Sequence, residues 1–246
     1  MREFKIIEEA ISKFSLDLKG LNILTEAASG NYVWTPIIAA LAGGNVFAFS
    51  KNSRYGSFNE IAKNTKNLAK KLGIEKRIFI TNILSPEIIK KSNIITNLGF
   101  LRPLNEEKLK YCDSKVVIPL MWETWEYREE DLDLSYCFKK GIPVLGTNES
   151  HKDVATFKYL GLVVKKILLN QNIEIFKSKI IVLGKGKFKK EIISSLKKEG
   201  AIIIDYNLEC IKNYKFIDAI IIADNITNTN YIGNKGIINC STLKKI

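Results

Sequence analysis

Three groups of residues in this chain have types and spacings that can do chemistry. The first reads Gly184-Lys185-Gly186 and lies between an apolar run and a helical pattern. In such a turn the first glycine makes the bend and the second lets backbone amides approach a pyrophosphate. The helix that follows presents its positive end to the phosphates. Asp205 closes the next apolar run, where a carboxylate accepts from ribose hydroxyls. Lys187 and Phe188 open the helix and belong to the same candidate site, whereas Lys189 stands where a third glycine would allow the closest helix–strand packing. This first group points to a dinucleotide, with NAD preferred to NADP because the Asp205 charge would repel a 2′-phosphate.

The second group follows the apolar run VVIPL: Trp122, Glu123, Trp125 and Glu126, in the stretch WETWE. The end of a parallel strand is where open α/β sheets bind ligands. Glu123 and Glu126 are therefore candidate proton-handling carboxylates and Trp122 a candidate substrate contact. Packing tryptophans with solvated glutamates is the equal alternative. The third group lies in other loops. Glu26, Ser29 and Asn31 sit between a strand and a helix, where they can hold a polar ligand or, for Ser29, cap the helix. Arg54 offers a cation in the tight loop SRYG. His151, the only histidine, is of the residue type best suited to general acid/base work near neutral pH, although an isolated histidine can equally be a plain polar residue. No metal-ligand spacing is present.

The elements that must position these residues are legible in the apolar patterning. NILTEA, NVFAFS, RIFIT, IITN, VVIPL and PVLGT carry few polar residues, as parallel strands covered on both faces do. Helical patterns separate them, several ending in glycine. The expectation is a doubly wound α/β domain over residues 1–150, a hinge helix and linker over 151–176, and a short Rossmann domain over 177–246. In the last, KIIVLGKGKFKKEIISSLKKEGAIIIDYN makes one βαβ unit, DAIIIAD a third strand and GIINCST a fourth.

Composition narrows the function classes. The net charge of +12 comes from lysines spread along helix faces, without the interleaved aromatics of single-strand binders, so no nucleic-acid partner is expected. No apolar run approaches the roughly 18 residues that span a bilayer, and the N-terminus reads as an amphipathic helix. Four scattered cysteines without a CxxC pair suit a reduced, cytoplasmic protein. The expected partners are a small-molecule substrate and a second copy of the chain in a homodimer.

The order of segments adds a resemblance. "NLGFLRPLNEEKLKYCDSKVVI", "DLDLSYCFKKGIPVLGTNESHKDVATFKYLGLVVKKIL" and "KIIVLGKGKF" resemble the D-2-hydroxyacid dehydrogenase superfamily. "LTEAASGNYVWTPIIAALAGGNVFAFSKNSRYGS" looks more like the substrate domain of S-adenosylhomocysteine hydrolase, which shares a two-domain plan. The resemblance implies an NAD(P)-dependent oxidoreductase working by hydride transfer in an interdomain cleft, on a small polar metabolite. It does not carry over the catalytic residues. WETWE replaces the glycine-rich loop and its carboxylate-binding arginine, and His151 stands apart from the family's late His–Glu pair. The cofactor domain is also expected to be short. Two further readings follow from these departures: a non-catalytic nucleotide- or partner-binding protein, and a hydrolase or lyase that uses bound NAD transiently.

Overall fold

The computed structural model describes residues 2–113, 115–152, 154, 156–204, 216–224 and 229–239. The chain divides into two compact units, Met1–Thr147 and Asn148–Ile246. Both are α/β with parallel sheets, the class that the strand patterning predicts.

The first unit begins with an amphipathic helix α1 (Arg2–Lys13) that fully buries none of its side chains. Its sheet contains β1 (Asn22–Glu26), β2 (Asn45–Phe49), β3 (Ile78–Thr81) and β4 (Ile94–Ile95) in the order β3-β2-β1-β4, all parallel. A parallel bridge between Ile94 and Val117 leads on to β5 (Ile118–Pro119), which pairs with β6 (Val144–Leu145). The strands therefore run 3-2-1-4-5-6, and the winding reverses between β1 and β4. In sheets of this order ligands bind beyond the carboxyl ends of the strands at that reversal.

Local chemistry sets the helix boundaries. Helix α2 (Trp34–Leu41) follows β1. Ser57 and Glu60 form a reciprocal capping box at the start of α3 (Phe58–Lys71). Ser85 caps α4 (Pro86–Lys91), where Pro86 occupies the first turn and so removes an amide that would have no helical partner. After α5 (Glu106–Leu109), α6 (Leu134–Lys140) starts at Asp133 and stops at Gly141 in the left-handed region, φ 72°. The core fills both sides of the sheet, with Leu24, Ile95, Leu101, Ile118 and Leu132 in one cluster and Ile23, Ala40, Val46 and Ile61 in the other. Cys112 and Cys137 are free thiols in the first cluster, and burial pushes both pKa values up to about 11. Cys210 and Cys240 lie outside the described residues.

The second unit contains α7 (Thr156–Asn170), β7 (Lys179–Leu183), α8 (Gly186–Lys198), β8 (Ile202–Ile204) and β9 (Ala219–Ile222). Its sheet is parallel, in the order β8-β7-β9, so the reversal falls between β7 and β9. The long helix α7, expected as a hinge, lies in this unit and packs against α8. Gly161 of α7 makes that contact possible, because a Cβ there would overlap Cβ and Oγ of Ser195. Residues expected to form a fourth strand contribute an isolated parallel bridge, Ile232 to Ile238, as far as they are described. Among the described residues no helix is long and apolar enough to cross a membrane.

Candidate functional site

At the carboxyl edge of the first sheet, strand geometry concentrates polar groups in an apolar setting. Thr25, Glu26, Ser50, Thr96 and Asn97 are all buried there. The Thr25 and Thr96 hydroxyls meet at 2.8 Å across β1 and β4. Glu26, only 4% exposed, accepts a hydrogen bond from the Phe100 amide at 2.8 Å. Burial pushes the Glu26 carboxyl up, while the Phe100 amide, Arg102 and Lys51 pull it back. A buried acid at a winding reversal can exchange a proton near neutral pH more readily than a solvated one.

Arg102, a cation that the sequence offers with a surface salt bridge as its alternative, organises the neighbouring positions. Its Nε donates to the Asn97 carbonyl at 2.7 Å, and its guanidinium stacks 4.1 Å from the centre of the Trp122 ring. Asp131 lies 3.6 Å from Arg102 but binds Arg128 more closely, at 2.7 Å. Asn97 Oδ1 accepts from the Met121 amide at 2.6 Å, which fixes the orientation of the side-chain amide. Asn97 Nδ2, Trp122 Nε1 and Ser50 Oγ are buried without a hydrogen-bond partner among the described residues. Buried donors are seldom left unpaired, so these are places to expect a ligand or water.

Of the WETWE residues, Trp122 is buried and Trp125 is 44% exposed. Glu123 precedes a 3-10 turn, Thr124–Glu126, which packs so closely over β6 that a Cβ at Gly146 would overlap the Thr124 methyl. Trp122 thus packs as the alternative reading expects of a tryptophan, while Glu126 is exposed and Glu123 half-buried. Burial and the adjacent Glu123 carboxylate raise the Glu126 pKa, against the opposing pull of Arg128 and Arg102. In the loop after β1, Ser29 precedes a 3-10 turn, Gly30–Val33, but makes no capping hydrogen bond; Asn31 is exposed. Arg54 is stacked on and hydrogen-bonded to Tyr55, in a loop closed by the bridge between Ser53 and Gly56.

In the second unit, Gly184 has φ +114°, and a Cβ there would overlap the Ala223 carbonyl at the end of β9. This glycine is required for backbone clearance at the winding reversal. Gly186 opens α8 at φ +78°, and Lys185 before it makes no side-chain cap. The first turn of α8 has no acidic residue. Its amides and positive dipole end are thus available to an anion, and these residues fit a dinucleotide's pyrophosphate. Phe188 packs on Phe157, ring centres 5.8 Å apart, while Lys187 donates to Ser150 Oγ at 2.7 Å. A cavity of about 360 Å³ beside them is lined by His151, Glu149, Lys152, Lys187 and Lys190 among others. His151 thus shares a cavity with Lys187 and Lys190 of α8. Asp205 lies outside the described residues, directly after β8 in the chain. Among the described residues no group of acidic, histidine and cysteine side chains could hold a metal ion.

The chain matches no protein-family model and no curated protein sequence. Solved structures do match. A dipicolinate synthase from Bacillus subtilis aligns over 94% of this chain and 79% of its own, at 14% identity and TM-score 0.52. A second dipicolinate synthase structure, from Bacillus halodurans, aligns over 88% and 77%, at 11% identity and TM-score 0.50. The likeness is one of fold. At that level the resemblance read from the sequence holds: the chain has the two-domain, parallel-sheet plan that it implied.

Proposed function

We propose that the chain is an oxidoreductase that binds NAD in its second unit and a small polar metabolite in its first. The observation that carries this reading is the β7–α8 turn. Gly184 is held at a positive φ against Ala223, and an uncapped, acid-free helix start follows it. A bound nicotinamide supplies the hydride chemistry. Gly184, Gly186 and the first turn of α8 hold the pyrophosphate, with Lys187 and Phe188 flanking it and Asp205 accepting from the adenosine ribose. In the first unit, Glu26, Ser29, Asn31, Arg54 and Trp122 position the substrate. Glu123, Glu126 and His151 handle protons.

Native mass spectrometry of freshly purified protein, followed by calorimetric titration with NAD and NADP, tests the reading. NAD is expected to bind more tightly than NADP, Gly184→Val to abolish binding, and Asp205→Ala to reduce the preference. No affinity for either dinucleotide would overturn the assignment. Lys189, at the position of the missing third glycine, favours a second reading in which the fold binds a nucleotide without turnover. Dinucleotide binding without any change in nicotinamide absorbance across a metabolite panel would favour that reading.

A further inference from the structure

We propose that the first unit binds a small organic anion in the pocket beyond the carboxyl ends of β2, β3 and β4, with its acidic oxygens on Lys51, Arg102 and Lys108. This rests on the reading above that the first unit holds the substrate, and it specifies the substrate's charge.

The pocket has a volume of about 310 Å³, and its lining includes Lys51, Arg102 and Lys108 against a single carboxylate, Glu107. That volume is near the small end of the ~300–1,000 Å³ range of ligand sites. Phe49, Leu84, Phe100 and Tyr111 supply apolar wall. The pocket is thus built for a compact molecule with an apolar body and a negatively charged end.

The cations retain unused donors. Lys108 Nζ donates to the Leu101 carbonyl at 2.8 Å, which leaves two of its three protons. Arg102 gives Nε to Asn97, and its nearest acid, Asp131, is more closely bound to Arg128. Lys51 lies over the Phe100 ring, 5.5 Å from its centre. The carboxylates around these cations are Glu107 in the lining, Asp131 beside Arg102, and the buried Glu26, whose pKa burial raises. Burial also lowers the pKa of Arg102 and of Lys108, with Lys51 adding repulsion at Lys108. An anion would relieve that repulsion. Asn97 Nδ2 and Trp122 Nε1, on the two residues that Arg102 touches, lie outside the pocket's lining and are buried without partners among the described residues.

A carboxylate and a phosphate ester share this chemistry, so the test uses benzoate, phenyl phosphate and neutral benzamide. Each is titrated into the full chain without dinucleotide, with the indole N–H resonance of Trp122, assigned by Trp122→Phe, as the reporter. Benzoate or phenyl phosphate is expected to bind saturably and at least about tenfold more tightly than benzamide, as charge-assisted hydrogen bonds require. The tighter of the two acids identifies the group. Lys51→Gln removes a cation whose described contact is the Phe100 ring, so it should weaken binding by a similar factor and leave the spectrum folded. Benzamide binding as tightly as the acids, no saturable shift with either acid, or unchanged affinity in Lys51→Gln would each overturn the proposal. Dinucleotide titration reads the second unit separately, so either assignment can fail without the other.

Discussion

Glu126 illustrates how a single residue's environment makes a prediction. Its pKa is raised first by burial and then by the adjacent Glu123 carboxylate. Glu123→Gln removes that negative charge, so the Glu126 pKa should fall, as a carboxyl NMR titration would show. If Glu126 acts as a base, the acidic limb of the turnover–pH profile should move to lower pH in the same variant. The melting temperature should stay nearly constant, because glutamine keeps the size of the half-buried Glu123 side chain and only a surface charge is lost. A large loss of stability would instead make WETWE a structural loop. Arg102 shows the opposite relation between sequence and site. An arginine beside a proline reads in the sequence as a cation with a surface salt bridge as its alternative. Only the folded loop after β4 brings it onto Trp122, Asn97 and the pocket.

Among the elements, the α7–α8 pair is the most constrained. Gly161 faces Ser195 with no room for a side chain. Gly161→Ala should therefore destabilise the second unit by roughly 1–3 kcal/mol through overpacking, with Ser195→Gly recovering part of the loss in the double variant. Thermal melts of the four proteins give the coupling. Additive effects would show that the helices separate readily. The glycine spacing after β7 signals where backbone must pass close to a ligand, and Gly184 has the close backbone approach, at Ala223. The need for a glycine in α7 has no comparable local sign. It depends on which residue of α8 lies opposite, and two residues 34 positions apart in the chain (161 to 195) are registered only by folding.

For the whole molecule, each buried hydrophobic cluster among the described residues lies within one unit or the other. Residues 1–147 contain a complete six-strand winding and two clusters, enough for a self-sufficient core. Expressed alone, they should melt cooperatively by circular dichroism and retain the anion response of the full chain. A non-cooperative melt would show that the first unit depends on the second. The sequence by itself determined the fold class, the run of strands and helices and the glycine turn. Those features are written in short-range periodicity, capping residues and the conformational needs of glycine. Tertiary structure alone decided the 3-2-1-4-5-6 order, the β8-β7-β9 reversal and the convergence of Lys51, Arg102 and Lys108 on one pocket. Strand order is set by which apolar faces cover one another. It therefore brings together residues from separate loops, and no local pattern records their meeting.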